Sequence, residues 1–117
     1  NFDADSINAA CDVLHQSGLM PSVMIDASHA NSAKKPENQS LVMADVGAQI
    51  AAGDERIVGV MIESNLVAGR QDLLPGQALT YGQSITDGCI DWDTSVAVLE
   101  ELATAVTRRR RAAAAAG

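Results

Sequence analysis

Aromatic side chains are almost absent from this sequence, which has one Trp, one Tyr and one Phe in 117 residues. A hydrophobic core must therefore be built from Val, Ile, Leu, Met and Ala. Hydrophobic residues still make up 47% of the chain, which excludes a disordered composition and suffices for one domain with a modest core. The sequence also lacks an apolar run of membrane-spanning length and a recognisable signal peptide, so we expect a cytoplasmic protein without a membrane partner.

Positive charge is scarce as well, with 8 Lys and Arg against 15 Asp and Glu and a formal net charge of −7. An acidic chain of this kind is not expected to bind nucleic acid or an anionic membrane. Four cations stand in one run at residues 108–111, and the rest of the chain keeps Lys34, Lys35, Arg56 and Arg70. Sites for phosphorylated substrates normally use several Arg or Lys side chains. Most cations of such a site would have to come from another part of a longer protein.

Only two cysteines are present, Cys11 and Cys89, and they do not form a C-x-x-C pair. A single structural disulfide is one interpretation, but we expect free, buried thiols in a reducing cytosol. The sequence also has no glycine-rich phosphate-binding loop, no nucleophile elbow and no zinc-finger spacing.

The chain alternates between helical and strand patterns. Apolar spacing of i, i+3, i+4 and i+7 predicts helices, and two apolar runs without alternation predict parallel strands that are covered on both faces. The expected elements are a helix over 5–17, a strand in 22–28, a helix over 36–53, a strand over 57–64, a long loop over 65–92 and a last helix. This order, α-β-α-β-loop-α, predicts an α/β fold with too few strands to close a barrel.

The last helix is expected to begin at a capping Asp93. Its inner face is predicted to consist of Val96, Leu99, Leu102, Ala103 and Val106. After residue 107 the sequence RRRRAAAAAG has low complexity. We therefore expect one domain over 1–107 and a flexible tail over 108–117.

The stretch VMIDASHANSAKKP, residues 23–36, changes abruptly from a buried strand to polar residues. In parallel α/β folds, functional sites gather at the carboxyl ends of strands. His29 follows the first strand, Glu63 ends the second and Asp87 lies in the long loop, so all three are expected at one edge of the sheet. One imidazole and two carboxylates suit a divalent ion such as Mn²⁺, Fe²⁺, Co²⁺ or Zn²⁺. Taken singly, a structural histidine, an ion-paired glutamate and a turn aspartate remain open interpretations.

Four nearby polar residues are expected beside the metal ligands or on the substrate side: Asp26, Asn31, Ser64 and Lys34. Asp26 and Asn31 suit groups that fix a histidine tautomer or a loop, although local capping explains them equally well. Lys34 and Lys35 form the only basic pair near this edge, and they either contact a phosphate or belong to a solvated loop.

Three longer patterns are highly specific when they are taken together. VMIDASHANSAKKPENQ, GVMIESNLVAGRQDL and LTYGQSITDGCIDWDT strongly resemble the C-terminal third of the class I 3-deoxy-D-arabino-heptulosonate 7-phosphate (DAHP) synthases. The resemblance covers nearly the whole chain up to the arginine run. It implies the last part of a (β/α)8 TIM barrel that condenses phosphoenolpyruvate with D-erythrose 4-phosphate, the first step of the shikimate pathway to the aromatic amino acids.

The resemblance also implies a metal site. The family holds its ion with Cys, His, Glu and Asp, and three of these map onto His29, Glu63 and Asp87. The family's ligand cysteine lies near the first barrel strand, outside this chain, so Cys89 is not that ligand. His29 and Asp87 are implied to be catalytic as well, Asp87 through a sugar hydroxyl or a water. The implied partners are the two substrates, the rest of the barrel and further copies in a homo-oligomer.

Two other functions remain open. A related metal-dependent barrel would act on a different sugar phosphate, and substrate motifs upstream of this chain would distinguish it. A non-catalytic fragment would serve in assembly. A chain with three of four metal ligands and few phosphate-binding cations is expected to be inactive by itself, because a site that acts as a unit loses orders of magnitude in rate when part of it is missing.

Overall fold

The computed structural model describes all 117 residues and confirms an α/β fold with the predicted order of elements. Three helices and two strands are present: α1 Ala4–Gln16, β1 Val23–Asp26, α2 Asn38–Ala51, β2 Ile57–Met61 and α3 Trp92–Ala116. The two strands form one parallel sheet. The long segment between β2 and α3 contains no helix, as its many glycines predict.

The pairing of the two strands decides where the polar residues lie. Ile25 pairs with Val60 and Asp26 pairs with Met61, so the carboxyl ends of β1 and β2 are side by side. Parallel strands need a crossover, and α2 supplies it between them. The residues that follow each strand therefore meet at the same edge, as expected for a site in a parallel sheet.

The core lies between the sheet and the helices. It is one cluster of thirteen buried residues: Ile7, Cys11, Ile25, Ala27, Val42, Met43, Val46, Ile50, Ile57, Ile90, Val98, Leu102 and Ala105. The prediction that both faces of the sheet are covered is wrong for this chain, because Met24 is 64% exposed and Val58 is 68% exposed. With only two strands and three helices, the chain has no element that can cover the second face.

Helix α3 begins earlier than the sequence predicts. Its N-cap is Asp91, whose backbone is extended and whose carboxylate accepts a 2.9 Å hydrogen bond from the backbone N–H of Thr94. Asp93 lies in the first turn, so the assignment of Asp93 as the cap is wrong. An Asp at the N-cap satisfies an amide that has no partner inside the helix, and Asp91 does this two residues upstream.

The inner face of α3 is also narrower than predicted. Leu102 is buried as expected, but the other buried positions are Val98 and Ala105, while Val96 and Leu99 are 39% and 57% exposed. Val106 is partly buried against the core, as predicted. Helix α3 packs mainly against α2, its one helical neighbour, which covers one stripe of its surface. The predicted face assumed a broader contact than one helix can give.

The helix continues through the arginine and alanine run to Ala116, so the structure has no break at residue 107. Ala and Arg both have high helix propensity, which explains the continuation. Arg109 donates a 2.8 Å hydrogen bond to the backbone oxygen of Asp54, which ties the start of the run to the turn before β2. The mobility of the tail over 108–117 stays a prediction. None of the three helices combines the length and apolar character needed to cross a membrane.

The long loop is held by backbone pairings rather than by regular strands. Isolated bridges join Ser64 to Ile90, Gly69 to Cys89 and Arg70 to Ser84. The backbone N–H of Ile90 also donates a 3.0 Å hydrogen bond to the oxygen of Glu63. The returning end of the loop therefore runs beside the carboxyl end of β2, and it brings residue 87 to the same edge as residues 29 and 63.

Candidate metal centre

The turn after β1 presents His29 in an unusual backbone conformation. His29 has a φ of 50°, in the left-handed region that non-glycine residues seldom adopt. Its Nδ1 lies 2.8 Å from Oδ2 of Asp26, while the other oxygen of Asp26 accepts a 2.8 Å hydrogen bond from the backbone N–H of Ser28. Asn31 donates a 2.7 Å hydrogen bond to the backbone oxygen of Asp26. With its Nδ1 proton directed at Asp26, a neutral imidazole has its Nε2 lone pair free for a ligand.

Nε2 of His29 faces two carboxylates. It lies 3.5 Å from Oε1 of Glu63 and 3.4 Å from Oδ2 of Asp87. One nitrogen or oxygen atom from each of the three residues lies within 4.8 Å of the other two. Three such atoms at this spacing can surround one ion, and an imidazole nitrogen with two carboxylate oxygens suits Mn²⁺, Fe²⁺, Co²⁺ or Zn²⁺. The residues present therefore fit the divalent ion that the sequence predicts.

The electrostatics of the cluster favour a cation. The hydrogen bond to Asp26 and the charge of that carboxylate raise the pKa of His29, and the carboxylates of Glu63 and Asp87 raise it further. Three carboxylates around one imidazole give a negative field that a divalent ion would neutralise. The side chains of His29 and Asp87 are 54% and 66% exposed, so the centre is open to solvent on that side.

Glu63 is held more firmly than its two neighbours, and its carboxylate is only 22% exposed. The hydroxyl of Ser28 donates a 2.6 Å hydrogen bond to Oε2, which leaves Oε1 towards His29. The amide of Gln39 binds both the backbone N–H and the backbone oxygen of Glu63, at 2.8 and 3.0 Å.

Sequence reasoning missed Ser28 and Gln39 as supporting residues. A signal for Gln39 was present, because it lies three and four residues before Val42 and Met43 on the apolar stripe of α2. A polar residue on a buried stripe needs hydrogen-bond partners, and such a position points to a polar contact across the core.

A pocket of about 240 Å³ opens over the cluster. Its lining contains no large hydrophobic residue and consists of Ser28, His29, Ser32, Lys34, Pro36, Glu63, Arg70, Asp87 and Gly88. The structure thus places Lys34 at the pocket, together with a second cation, Arg70, that the sequence analysis did not single out. Arg70 donates a 2.8 Å hydrogen bond to the backbone oxygen of Thr86, next to Asp87.

The other residues that were predicted to lie beside the metal ligands do not line this pocket. Ser64 is exposed, does not line this pocket and pairs through its backbone with Ile90. Asp26 contacts Nδ1 of His29, and Asn31 binds the backbone oxygen of Asp26. Neither residue lines the pocket.

Both cysteines are free and buried, as expected. Cys89 lies two residues beyond Asp87, but its thiol points to the backbone oxygen of Asp87 at 3.6 Å. Burial raises the pKa of this thiol, which disfavours the thiolate that a metal would bind. Cys89 does not join the group formed by His29, Glu63 and Asp87.

Comparisons with known proteins identify the family of this chain. The chain is 50% identical over 112 residues to the phospho-2-dehydro-3-deoxyheptonate aldolase of Haemophilus influenzae, covering 96% of this chain and 31% of the relative. It is 49% identical over 110 residues to the Phe-sensitive phospho-2-dehydro-3-deoxyheptonate aldolase of Escherichia coli, covering 94% and 31%. The chain therefore spans about a third of the length of these relatives.

A solved structure of phospho-2-dehydro-3-deoxyheptonate aldolase from Francisella tularensis is similar to the fold described above. The TM-score is 0.89 at 46% sequence identity, and the match covers 93% of this chain and 31% of that one. The sequence model described as "DAHP synthetase I family" matches residues 1–100, which is most of the chain. These matches confirm the resemblance drawn from the three sequence patterns: the chain belongs to the DAHP synthetase I family.

Proposed function

We propose that the protein containing this chain condenses phosphoenolpyruvate with D-erythrose 4-phosphate to give DAHP and inorganic phosphate, as a transferase of the shikimate pathway. Membership of the DAHP synthetase I family supports this proposal. The single observation that carries it is the convergence of His29, Glu63 and Asp87, whose ligand atoms lie within 4.8 Å of one another. Because the chain spans 31% of its relatives, the activity is proposed for the longer protein and not for this chain alone.

One divalent ion, Mn²⁺, Fe²⁺, Co²⁺ or Zn²⁺, would be held by His29 through Nε2 and by the carboxylates of Glu63 and Asp87. A cysteine from the rest of the protein would complete the set, as the family resemblance implies. When bound, such an ion polarises a substrate carbonyl or orients a water. Asp26 keeps the ring of His29 oriented through its 2.8 Å contact with Nδ1. Asn31 holds the backbone of Asp26 and so supports the same arrangement.

The residues of this chain also have roles towards the substrates. In the overall reaction the enol carbon of phosphoenolpyruvate forms a bond to the aldehyde carbon, water adds at the adjacent carbon and phosphate leaves. Asp87 is the most exposed of the three ligands, and its carboxylate can accept a hydrogen bond from a sugar hydroxyl or from the attacking water. Ser64 does not line this pocket, so a contact between Ser64 and a substrate is proposed only for the longer protein.

Phosphate binding needs cations that this chain largely lacks. Lys34 and Arg70 both line the pocket and suit one phosphate group at its rim. The shortage of Lys and Arg, 8 against 15 Asp and Glu, supports the proposal that the remaining phosphate-binding cations belong to the rest of the protein. This division of charge explains why the 117-residue chain is expected to be inactive.

The fold is proposed to be the last part of a (β/α)8 barrel. The open edges of the two-stranded parallel sheet and the exposure of Met24 and Val58 support this proposal, because the remaining strands and helices of a barrel would cover them. The remainder of the barrel is therefore the main partner, and the complete protein is proposed to be a cytoplasmic homo-oligomer.

The test uses the full-length protein that contains this chain. Phosphate release from phosphoenolpyruvate should require both erythrose 4-phosphate and a divalent ion, and it should stop when the ion is chelated. Asp87→Ala should lower kcat by a factor of about 100 or more, because it removes a ligand and a substrate contact together. Release that proceeds with a five-carbon aldose phosphate and not with erythrose 4-phosphate would contradict the proposal.

A further inference from the structure

Gln39 has no exposed surface, although it carries a polar amide. It lies in the first turn of α2, 24 residues before Glu63. Its Oε1 accepts a 2.8 Å hydrogen bond from the backbone N–H of Glu63, and its Nε2 donates a 3.0 Å hydrogen bond to the backbone oxygen of Glu63. The oxygen and the nitrogen of one buried side-chain amide therefore both bind the backbone of Glu63.

This pair of bonds adds to the backbone pairing with the returning loop, in which the N–H of Ile90 donates a 3.0 Å hydrogen bond to the same backbone oxygen of Glu63. The ladder between the strands ends at the pair Asp26 and Met61, so Glu63 lies beyond the regular sheet. A planar amide that binds both the N–H and the C=O of one residue fixes the orientation of that backbone unit, as a paired strand would. The direction of the Cα–Cβ bond of Glu63 follows from that orientation, and with it the position from which the carboxylate reaches His29.

We propose that Gln39 is a positioning residue of the metal centre. It does not reach the ion, and it acts by fixing the backbone of Glu63 so that Oε1 stays in the cluster with His29 and Asp87. The inference rests on the proposed metal centre. It predicts that removing the amide weakens metal binding even though every ligand is still present, as is common for groups that orient metal ligands.

A role in packing alone makes a different prediction. Gln39 lies in the core beside Met43, one turn further along α2, and both residues are completely buried. If Gln39 mattered only for the core, replacing it would lower the thermal midpoint without a specific effect on the ion. Met43→Ala is therefore the matched control, because it creates a cavity in the same helix without touching Glu63.

The experiment titrates the metal-free full-length protein with Mn²⁺ alone, with free Mn²⁺ followed by electron paramagnetic resonance. Gln39→Met keeps the volume and removes both hydrogen bonds, and we expect it to raise the Kd for Mn²⁺ by about 10- to 100-fold. Met43→Ala should lower the thermal midpoint and leave the Kd within about twofold. In a Glu63→Ala background, Gln39→Met should change the Kd by less than about twofold, because the carboxylate that Gln39 positions is gone although the backbone that it binds remains.

Equal effects of Gln39→Met in both backgrounds, or an unchanged Kd in the single variant, would overturn the inference and leave the metal centre intact. An unchanged Kd in Glu63→Ala would instead overturn the metal centre itself, and this inference with it. If Gln39→Met does not fold, Gln39→Asn gives the same test, because its amide is one methylene shorter and cannot reach both backbone groups. It should raise the Kd in the same direction.

Discussion

The hydroxyl of Ser28 donates a 2.6 Å hydrogen bond to Oε2 of Glu63, which lies 35 residues further along the chain. This bond joins the ends of the two strands through side chains. It occupies one carboxylate oxygen and leaves the other, Oε1, 3.5 Å from Nε2 of His29. Since Ser28 is only 5% exposed, water cannot readily replace it.

Ser28→Ala should therefore weaken metal binding. Without the hydroxyl, the carboxylate of Glu63 is free to rotate, and we expect a rise of about tenfold or more in the Kd for the divalent ion in the full-length protein. Isothermal titration calorimetry measures the change. Ser22→Ala is the matched control, because it makes the same substitution just before the amino end of β1. A Kd that rises equally in both variants would show that the effect is not specific to Glu63.

Metal content should distinguish the three proposed ligands from the nearby thiol. His29→Ala, Glu63→Ala and Asp87→Ala each remove one atom group of the cluster, and elemental analysis of the purified full-length variants should show the ion strongly depleted. Cys89→Ser should retain the ion. Cys89→Ser should lower the free energy of unfolding by about 1–3 kcal/mol, because a hydroxyl is more polar than the buried thiol that it replaces. Ion lost from Cys89→Ser and kept in His29→Ala would reverse the assignment.

The sequence was informative about the order of elements and about the edge where the site lies. Two apolar runs without alternation predicted parallel strands, and both strands were found within the predicted ranges. The convergence of His29, Glu63 and Asp87 follows from strand direction, because parallel carboxyl ends meet at one edge.

Other features depend on contacts that no local pattern encodes. The link between Gln39 and Glu63 spans 24 residues and needs α2 to lie beside the end of β2. Asp91 and Asp93 could both cap α3. Asp91 is the cap because its backbone is extended, whereas Asp93 lies in the first turn of the helix. The exposure of Val96 and Leu99 arises because α3 has only one helical neighbour in this chain. Periodicity identifies an apolar face, but the partner decides how much of it is buried.

Gly82 should be the least replaceable glycine of the long loop. It has a φ of 78°, and a Cβ at this position would lie 2.7 Å from the Cβ of Leu66. Gly76 has a φ of 76°, but a Cβ there would meet no atom within 4 Å, so it is the matched control. We expect Gly76→Ala to cost about 1–2 kcal/mol from the left-handed backbone alone. Gly82→Ala should cost at least about 1 kcal/mol more because of the clash. Urea unfolding of the two full-length variants measures the difference, and equal costs would contradict the predicted clash.

The carboxylate of Asp54 gives a pH dependence of stability. Hydrogen bonds from Arg56 hold its pKa below the usual value, and the charges of Arg56 and Arg109 act in the same direction. A group with a lowered folded-state pKa contributes stability above its unfolded pKa, and that contribution is lost as the pH falls through the folded value. The side chain of Asp54 is only 14% exposed, so solvent screens the pair weakly.

Asp54→Asn should therefore be less stable than the parent protein near neutral pH, and the gap should close as the pH falls below about 4. Thermal midpoints recorded between pH 3 and pH 7 test this expectation. Glu55→Gln is the control, because the neighbouring Glu55 forms no ion pair in the structure. A gap between Asp54→Asn and the parent that stays constant over the whole range would rule out the charge of Asp54 as the cause.

The isolated 117-residue chain should associate with itself. The sheet leaves the apolar side chains of Met24 and Val58 in water, at 64% and 68% exposure, and each strand has one edge without a partner in the two-stranded sheet. Two-stranded sheets are marginal in water, and uncovered edges and faces recruit other chains. Analytical ultracentrifugation over a range of concentrations should show a mean mass that rises above the 12.2 kDa of one chain. Met24→Lys together with Val58→Lys should lower that mass, because both substitutions replace an exposed apolar side chain with a charged one. A monomer at all concentrations with a sharp, cooperative thermal transition would mean that these exposed side chains and open edges do not drive association.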